Sequence, residues 1–377
     1  MKIGLLKEPE GEFRVALIPE GVHEITGKLK AAVIVEQGAG ATTYFTDKDY
    51  EDAGAKVMSR SDIFDSADLI LGINNPSEEE MERLKPEQVL LTMLQPLFNT
   101  ELVRKLQAGK KTIFSLDAIP RTTRAQAMDI LSSQATAAGY KAVLDAAMHL
   151  PKFFPLFMTA AGTIKPAKVL ILGAGVAGLQ AIATAKRLGA VVEAFDVRTA
   201  VREEVKSLGG KFIEVEGAKD DASAGGYAVE QTEEYKQKQQ QLIHDHAIKA
   251  DVIISTAQIP GRKAPVLVKE DTVKQMKPGS VIIDLAASTG GNVEVTKNNE
   301  TFTYEDKVIV IGNSNYPGLL PVDSSRMFGK NVINFLKLII DEEGGMNLNF
   351  EDDIVYGTCI THNGELYNER VKSIIES

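Results

Sequence analysis

Cysteine is almost missing from this chain: Cys359 stands alone among 377 residues, so neither an internal disulfide framework nor a thiolate zinc cluster can be built. That usage suits a reducing compartment, and the expected location is the cytoplasm. Long apolar runs are also lacking. The longest uncharged stretch, Val169 to Ala185, is interrupted by Gly173, Gly175, Gly178 and Gln180, and it falls short of the roughly 20 residues a spanning helix needs. The N-terminus reaches Lys7 and Glu8 before any apolar run long enough for a signal peptide, so export by that route is not expected. Positive charge is in deficit, with 42 basic against 52 acidic residues and a formal net charge of −10. Without a basic stripe to neutralise phosphates along a duplex, nucleic acid is not an expected partner. Histidine is sparse, and His244 with His246 falls in a charged helical stretch that reads as a solvated face rather than a metal pair. No metal site is expected.

What is present is ordinary globular material, 44% hydrophobic and 25% charged, in a chain long enough for two domains. Short β-rich runs at Ile3–Leu6, Ala32–Val35, Leu69–Leu71, Val89–Leu94 and Thr112–Leu116 alternate with helical patterns, which means a parallel sheet flanked by helices. A long helix is expected from Arg124 through Leu150, interrupted near Gly139. A fresh series of strands follows at Val169–Leu172, Val191–Phe195, Asp251–Ser255, Val281–Asp284 and Val308–Ile311. The helical pattern Met327–Ile340 is expected to return to the first lobe. The expected fold is therefore α/β: two doubly wound domains with parallel sheets and a cleft between them. The first, residues 1–138 plus about 320–377, is discontinuous, and the second covers about 139–319.

The strongest motif is Gly173-Ala-Gly175-Val176-Ala-Gly178, which follows an apolar strand and opens a helix. Gly173 permits a tight turn, Gly175 lets backbone approach a pyrophosphate, and Gly178 allows close helix-to-strand packing. The helix N-terminus, with its unpaired amides and positive dipole end, then receives the phosphates. Asp196 lies 23 residues after Gly173, close to the offset of about 20 expected for a carboxylate that binds the adenosine ribose. It favours NAD(H), since a 2′-phosphate would meet like charge, and Arg198 can pair with a neighbour instead of reversing this. Val176 and Val197 are counted with these residues as cofactor contacts. The two domains are thus expected to be Rossmann-like.

A second constellation, Arg121, Gln126, Asp129 and Ser132, precedes and begins the long helix. These groups could fix a carboxamide, which needs both a donor and an acceptor. On the residues alone, an N-cap flanked by solvated side chains is the better reading. Asp220 to Glu234 is small, polar and glycine-containing, and reads as a mobile loop that is either a lid or a passive surface segment. No histidine falls in either motif.

With these residues in hand, the chain resembles the NAD(H)-binding component of proton-translocating transhydrogenases. The resemblance runs from Lys2 nearly to the C-terminus. It is carried by Glu12-Phe-Arg14-Val-Ala, Val35-Glu-Gln-Gly-Ala-Gly40, Arg124 through Gln134, Met158-Thr-Ala-Ala-Gly-Thr163 and Lys277 through Ala286. It implies that Arg121 and Asp129 hold the nicotinamide carboxamide, that Ser132 helps fix the ring, and that Gln126 lies at the junction with a component carrying NADP(H). Gly226 and Tyr227 look like part of a loop that closes over the nucleotide. The resemblance further implies a homodimer, a membrane-spanning proton-channel partner, and a place on the cytoplasmic side of the inner membrane, held there by partner subunits. Alanine dehydrogenases share the fold and are the competing resemblance. They keep an arginine where Arg14 stands, but have a lysine, a histidine and an aspartate where this chain has Asn74, Gln95 and Ser288. A third possibility is a redox-sensing module that binds NAD and acts by docking alone.

Overall fold

The protein is described by a computed structural model covering residues 1–215 and 232–376. It forms two compact units, one of Met1–Gln134 with Pro317–Ser377 and one of Ala135–Tyr316.

In the first unit, β1 (Lys2–Leu5), β2 (Ala32–Glu36), β3 (Lys56–Met58), β4 (Leu69–Leu71), β5 (Val89–Thr92) and β6 (Thr112–Ser115) are all parallel. Their order across the sheet is β3-β2-β1-β4-β5-β6. Alternate residues of each strand enter different cores. Ile3, Leu5, Leu69, Leu71 and Leu91 join one cluster, while Ile34, Ile70, Leu90 and Ile113 join another. Burial on both faces is why these strands read as continuous apolar runs instead of alternating ones.

The first strands of the second unit form an exposed hairpin, β7 (Phe157–Thr159) and β8 (Gly162–Ile164). The strands that follow are β9 (Lys168–Leu172), β10 (Val191–Phe195), β11 (Lys211–Ile213), β12 (Val252–Ser255), β13 (Val281–Asp284), β14 (Thr301–Tyr304) and β15 (Val308–Ile311). The sheet order is β11-β10-β9-β12-β13-β15-β14, with only β14 antiparallel to its neighbour. Back in the first unit, β16 (Cys359–His362) and β17 (Glu365–Leu366) extend the first sheet antiparallel beyond β6. Each sheet thus carries the six-strand parallel order 3-2-1-4-5-6 of a dinucleotide-binding Rossmann unit, with a crevice where the winding reverses beside its first strand. The α/β class with doubly wound parallel sheets is the architecture observed.

Four helices matter below: α1 (Ile130–His149), α2 (Val176–Arg187), α3 (Pro321–Ile339) and α4 (Asp353–Thr358). Two differ from expectation. Residues Thr123–Met128 form a 3₁₀ turn, so α1 begins at Ile130 rather than Arg124, and it runs through Gly139 without a break. Gly139 serves a close approach instead: a Cβ there would overlap the carbonyl of Ala177. Helix α3 starts earlier than the Met327 pattern suggests, because Pro321 fits the first turn of a helix. The expected loop Asp220 to Glu234 falls mostly outside the described residues, but its last two belong to the helix Glu233–Ala247, capped by Thr232.

Candidate functional site

The glycine-rich turn sits at the carboxyl end of β9, beside β12, where the winding of the second sheet reverses. Gly173 has φ +97°, a conformation that disfavours side chains. A Cβ on it would lie 2.6 Å from Thr256 Oγ1. At Gly178 a Cβ would overlap the Gly173 carbonyl oxygen, so this glycine is required by packing. Gly175 is different. Its backbone is extended, it stands at the N-cap of α2, and a Cβ would meet nothing nearer than Arg198 Nη2 at 4.0 Å. The first turn of α2 contains no acidic residue, while Lys186 and Arg187 occupy its last. Surface helices gain stability from carboxylates in the first turn. A 12-residue helix with an uncapped, carboxylate-free start and open space above its N-cap is shaped for an anion. Val176 is exposed at this start and Val197 packs against the core behind it.

Asp196, buried after β10, accepts hydrogen bonds from the backbone of Ala174 at 2.7 Å and of Arg198 at 2.9 Å. The Arg198 guanidinium closes over the same carboxylate through Nε at 2.9 Å and Nη2 at 2.7 Å. Arg198 therefore pairs with Asp196 itself, and Gly173, Gly175, Val176, Gly178, Asp196, Val197 and Arg198 gather around the ends of β9 and β10. Gly226 and Tyr227 lie outside the described residues.

Three supporting residues are not evident from sequence. Thr256 Oγ1 donates to the Gly173 carbonyl at 3.1 Å, pinning the turn. Asn292 accepts from Ala257 N and donates to the carbonyls of Ala257 and Pro265, which fixes the stretch after β12. Asp284, wholly buried, accepts from Ser255 Oγ, Thr296 Oγ1 and the backbone amides of Ala286, Asn292 and Val293. Donors of this number substitute for water around a buried carboxylate. The available signal is positional: Ser255 and Asp284 are polar residues ending the apolar strands Val-Ile-Ile-Ser and Val-Ile-Ile-Asp.

In the first unit, Arg121, Gln126, Asp129 and Ser132 share one short stretch of backbone. Ala125 and Met128 anchor it in the core, while Arg121 and Gln126 are exposed. Asp129 Oδ1 accepts from Ser132 N at 2.9 Å and Oδ2 from Ser132 Oγ at 2.6 Å, an N-cap arrangement at the start of α1. Arg124 reaches away from this group, donating to both oxygens of Asp352 at 2.6 and 2.8 Å and to Asp353. Asp352 in turn caps α4.

The four positions compared with alanine dehydrogenases are Arg14, Asn74 and Gln95 in the first unit and Ser288 in the second. Arg14 is buried and paired with Glu12 at 2.6 Å, and its Nη1 donates to Gln134 at 2.8 Å. Burial pushes the Glu12 carboxyl up, but the Arg14 pair outweighs it and holds Glu12 below the usual carboxylate range. Asn74 Nδ2 donates to Glu8, whose carboxyl burial raises despite amide hydrogen bonds from Ile73 and Asn74. Gln95 adopts φ +52°, and its amide faces Asp117, whose carboxyl is likewise raised by burial. Ser288 is exposed on a 3₁₀ turn of the other unit. His246 and His244 are not solvated as expected: each is half-buried, on Glu193 at 2.6 Å and Thr272 at 2.9 Å. Among the described residues no group of side chains is arranged to hold a metal ion, and no helix is long and apolar enough to cross a membrane.

Comparison with known proteins bears directly on this arrangement. The alanine dehydrogenase/PNT N-terminal domain matches residues 4–138, and the alanine dehydrogenase/PNT C-terminal domain matches residues 142–369. The chain belongs to the alanine dehydrogenase/PNT family. Within this family it is 45% identical to an NAD(P) transhydrogenase subunit alpha chain of Rhodospirillum rubrum, over 97% of each chain. It is 44% identical to NAD(P) transhydrogenase subunit alpha of Haemophilus influenzae, covering 97% of this chain and 71% of that protein. The crystal structure of transhydrogenase from Sinorhizobium meliloti superposes with a TM-score of 0.87 at 41% identity, over 97% of this chain and 100% of that one. An L-alanine dehydrogenase structure superposes with a TM-score of 0.82 at 26% identity, covering 100% of this chain and 99% of that one. These relatives named transhydrogenase are thus nearer than the alanine dehydrogenase.

Proposed function

We propose that this chain is the NAD(H)-binding component of a proton-translocating NAD(P) transhydrogenase. A hydride passes from C4 of NADH, held by this chain, to C4 of NADP+ held by a partner component, giving NAD+ and NADPH. The observation that carries this function against an amino-acid dehydrogenase is that Asn74 and Gln95 stand where a keto-acid enzyme needs a cation and an acid–base group. Arg14, an arginine that alanine dehydrogenases also keep, has its guanidinium committed to Glu12 and Gln134.

The residues present fit a dinucleotide. The open N-cap at Gly175 and the start of α2 receive the pyrophosphate, and Asp196 takes the adenosine ribose, with Arg198 giving up part of its pairing. When bound, the reduced nicotinamide supplies the hydride. Arg121 and Asp129 hold the carboxamide, Ser132 orients Asp129 and the ring, and Gln126, exposed on the same turn, meets the NADP(H) component. Catalysis by these groups is positioning. The chain would sit on the cytoplasmic face of the inner membrane through a membrane-spanning proton-channel partner. A second copy of the chain would cover the hairpin β7–β8, where Phe157 and Met158 are exposed.

The test is to mix the chain with a purified NADP(H)-binding component and follow reduction of an NAD analogue by NADPH. Turnover is expected, with Arg121→Ala lowering it while leaving the fold intact. No exchange between nucleotides would refute the proposal in favour of a sensing module, and NADH oxidation dependent on pyruvate and ammonium would refute it in favour of an alanine dehydrogenase.

A further inference from the structure

The turn bearing Gln126 and Asp129 is held from beneath by a helix with no role in the proposed function so far. The carbonyl oxygen of Ala127 accepts from Asn331 Nδ2 at 2.8 Å and from Asn334 Nδ2 at 3.0 Å. The two asparagines are three residues apart on α3 and so share a face. Together they occupy both lone pairs of one carbonyl. The Ala127 peptide lies between Gln126 and Asp129, whose backbone groups bond each other at 3.3 Å. A displacement of Ala127 therefore moves the exposed Gln126 and the capping Asp129 together.

Asn331 is buried among the apolar residues of α3, and its Oδ1 is buried with no hydrogen-bond partner among the described residues. An unmatched buried acceptor disfavours folding, and packing alone would be better served by leucine or methionine at this position. The orientation of the amide is also fixed, because a flip would set Oδ1 against the Ala127 oxygen. The second restraint on the turn, Arg124 with Asp352 and Asp353, is an ion pair open to solvent and so screened by salt, whereas the two amides are neutral, that of Asn331 buried and that of Asn334 half-buried.

Resting on the proposed hydride transfer, we infer that Asn331 and Asn334 are positioning residues, which set the height of the Gln126–Asp129 turn through the Ala127 carbonyl. Their effect belongs to the transfer step, since they stand apart from the phosphate turn at Gly173–Gly178 in sequence and in structural unit.

The experiment compares wild type, the double variant Asn331→Ala/Asn334→Ala, and Asn331→Ala/Asn334→Gln, which returns one amide donor of sufficient reach. Single-turnover hydride transfer is measured in complex with an NADP(H)-binding component, NADH affinity by equilibrium titration, and amide hydrogen exchange across residues 126–132 on the nucleotide-free chain. The double variant is expected to transfer about 10- to 100-fold more slowly, since a misplacement of about 1 Å costs on the order of 10²-fold. Its NADH affinity should stay within about threefold of wild type, as the turn contributes orientation more than binding energy. Exchange across 126–132 should quicken, and the glutamine variant should recover most of the rate. Wild-type transfer by the double variant, or a loss of rate matched by an equal loss of NADH affinity, would overturn the inference alone. Should the double variant not fold, Asn334→Ala at its half-buried position decides, and a wild-type rate there would overturn it. A wild-type complex that transfers no hydride would overturn the function and this inference together.

Discussion

Gly175→Ala separates a glycine kept for a ligand from one kept for packing. Its φ of −78° is open to any residue, and the added methyl would have Arg198 Nη2 at 4.0 Å as its nearest neighbour. Alanine at an N-cap costs about 0.5–1 kcal/mol relative to better caps, while losing a glycine from the unfolded chain returns about 0.4–1 kcal/mol. The two nearly cancel, so stability should stay within about 1 kcal/mol of wild type. The methyl would, however, occupy the approach of the pyrophosphate to the α2 amides. Losing one or two charge-assisted hydrogen bonds at about 1.5 kcal/mol each predicts an NADH Kd raised about 10- to 100-fold. Gly178→Ala is the control with the opposite signature, because its methyl collides with the Gly173 carbonyl and should destabilise by about 1–3 kcal/mol. Thermal melts and NADH fluorescence titration on both variants give the comparison. A Gly175→Ala protein that binds NADH as wild type does would refute the assignment of this turn to the pyrophosphate.

Glu12→Gln leaves the buried Arg14 without its counter-charge and should lower stability by about 3–5 kcal/mol, read as a lower urea midpoint; an unchanged midpoint would mean the pair is dispensable. Glu80 is drawn down from 4.5 to about 2, chiefly by hydrogen bonds from Arg60. A depressed carboxyl stabilises the fold above its unfolded value and loses that contribution as pH falls through the folded one, so Glu80→Gln should flatten the acid-unfolding curve between pH 4.5 and about 2 and nowhere above it. Met158, 77% exposed on the hairpin, should be needed for self-association: Met158→Glu is expected to shift sedimentation from dimer toward monomer with secondary structure unchanged.

The fold class is legible in the sequence because both sheets bury two faces, which forces unbroken runs such as Val-Leu-Ile-Leu and Val-Ile-Ile-Asp into the chain. Edge strands are not legible. Lys56–Met58 and Lys211–Ile213 are three residues long with a lysine first, and Thr301–Tyr304 alternates between exposed and half-buried positions. Gly139 reads as a break because a glycine within a helical pattern has two uses, and only the proximity of Ala177 distinguishes them. At the site, the spacing of Gly173, Gly175 and Gly178 carries much of the local geometry, since the φ of Gly173 and the contact of Gly178 with the Gly173 carbonyl arise within one βαβ unit, whereas the approach of Thr256 to Gly173 comes from beyond β12. The Arg121 to Ser132 stretch does not declare itself in the same way. Its cap is local, but the contacts that hold it come from Asn331, Asn334 and Asp352, more than 200 residues along the chain. Arg198 closing on Asp196 depends on a side-chain conformation that spacing does not encode.

The measurement that bears most directly on the account is the fate of deuterium placed at C4 of NADH, on the face that is transferred. The chain, combined with an NADP(H)-binding component and NADP+ in ordinary water, should yield NADPH carrying the label at C4, in an amount equal to the NADH consumed and unaffected by pyruvate or ammonium. Label appearing in water, or in alanine formed from pyruvate and ammonium, would contradict it.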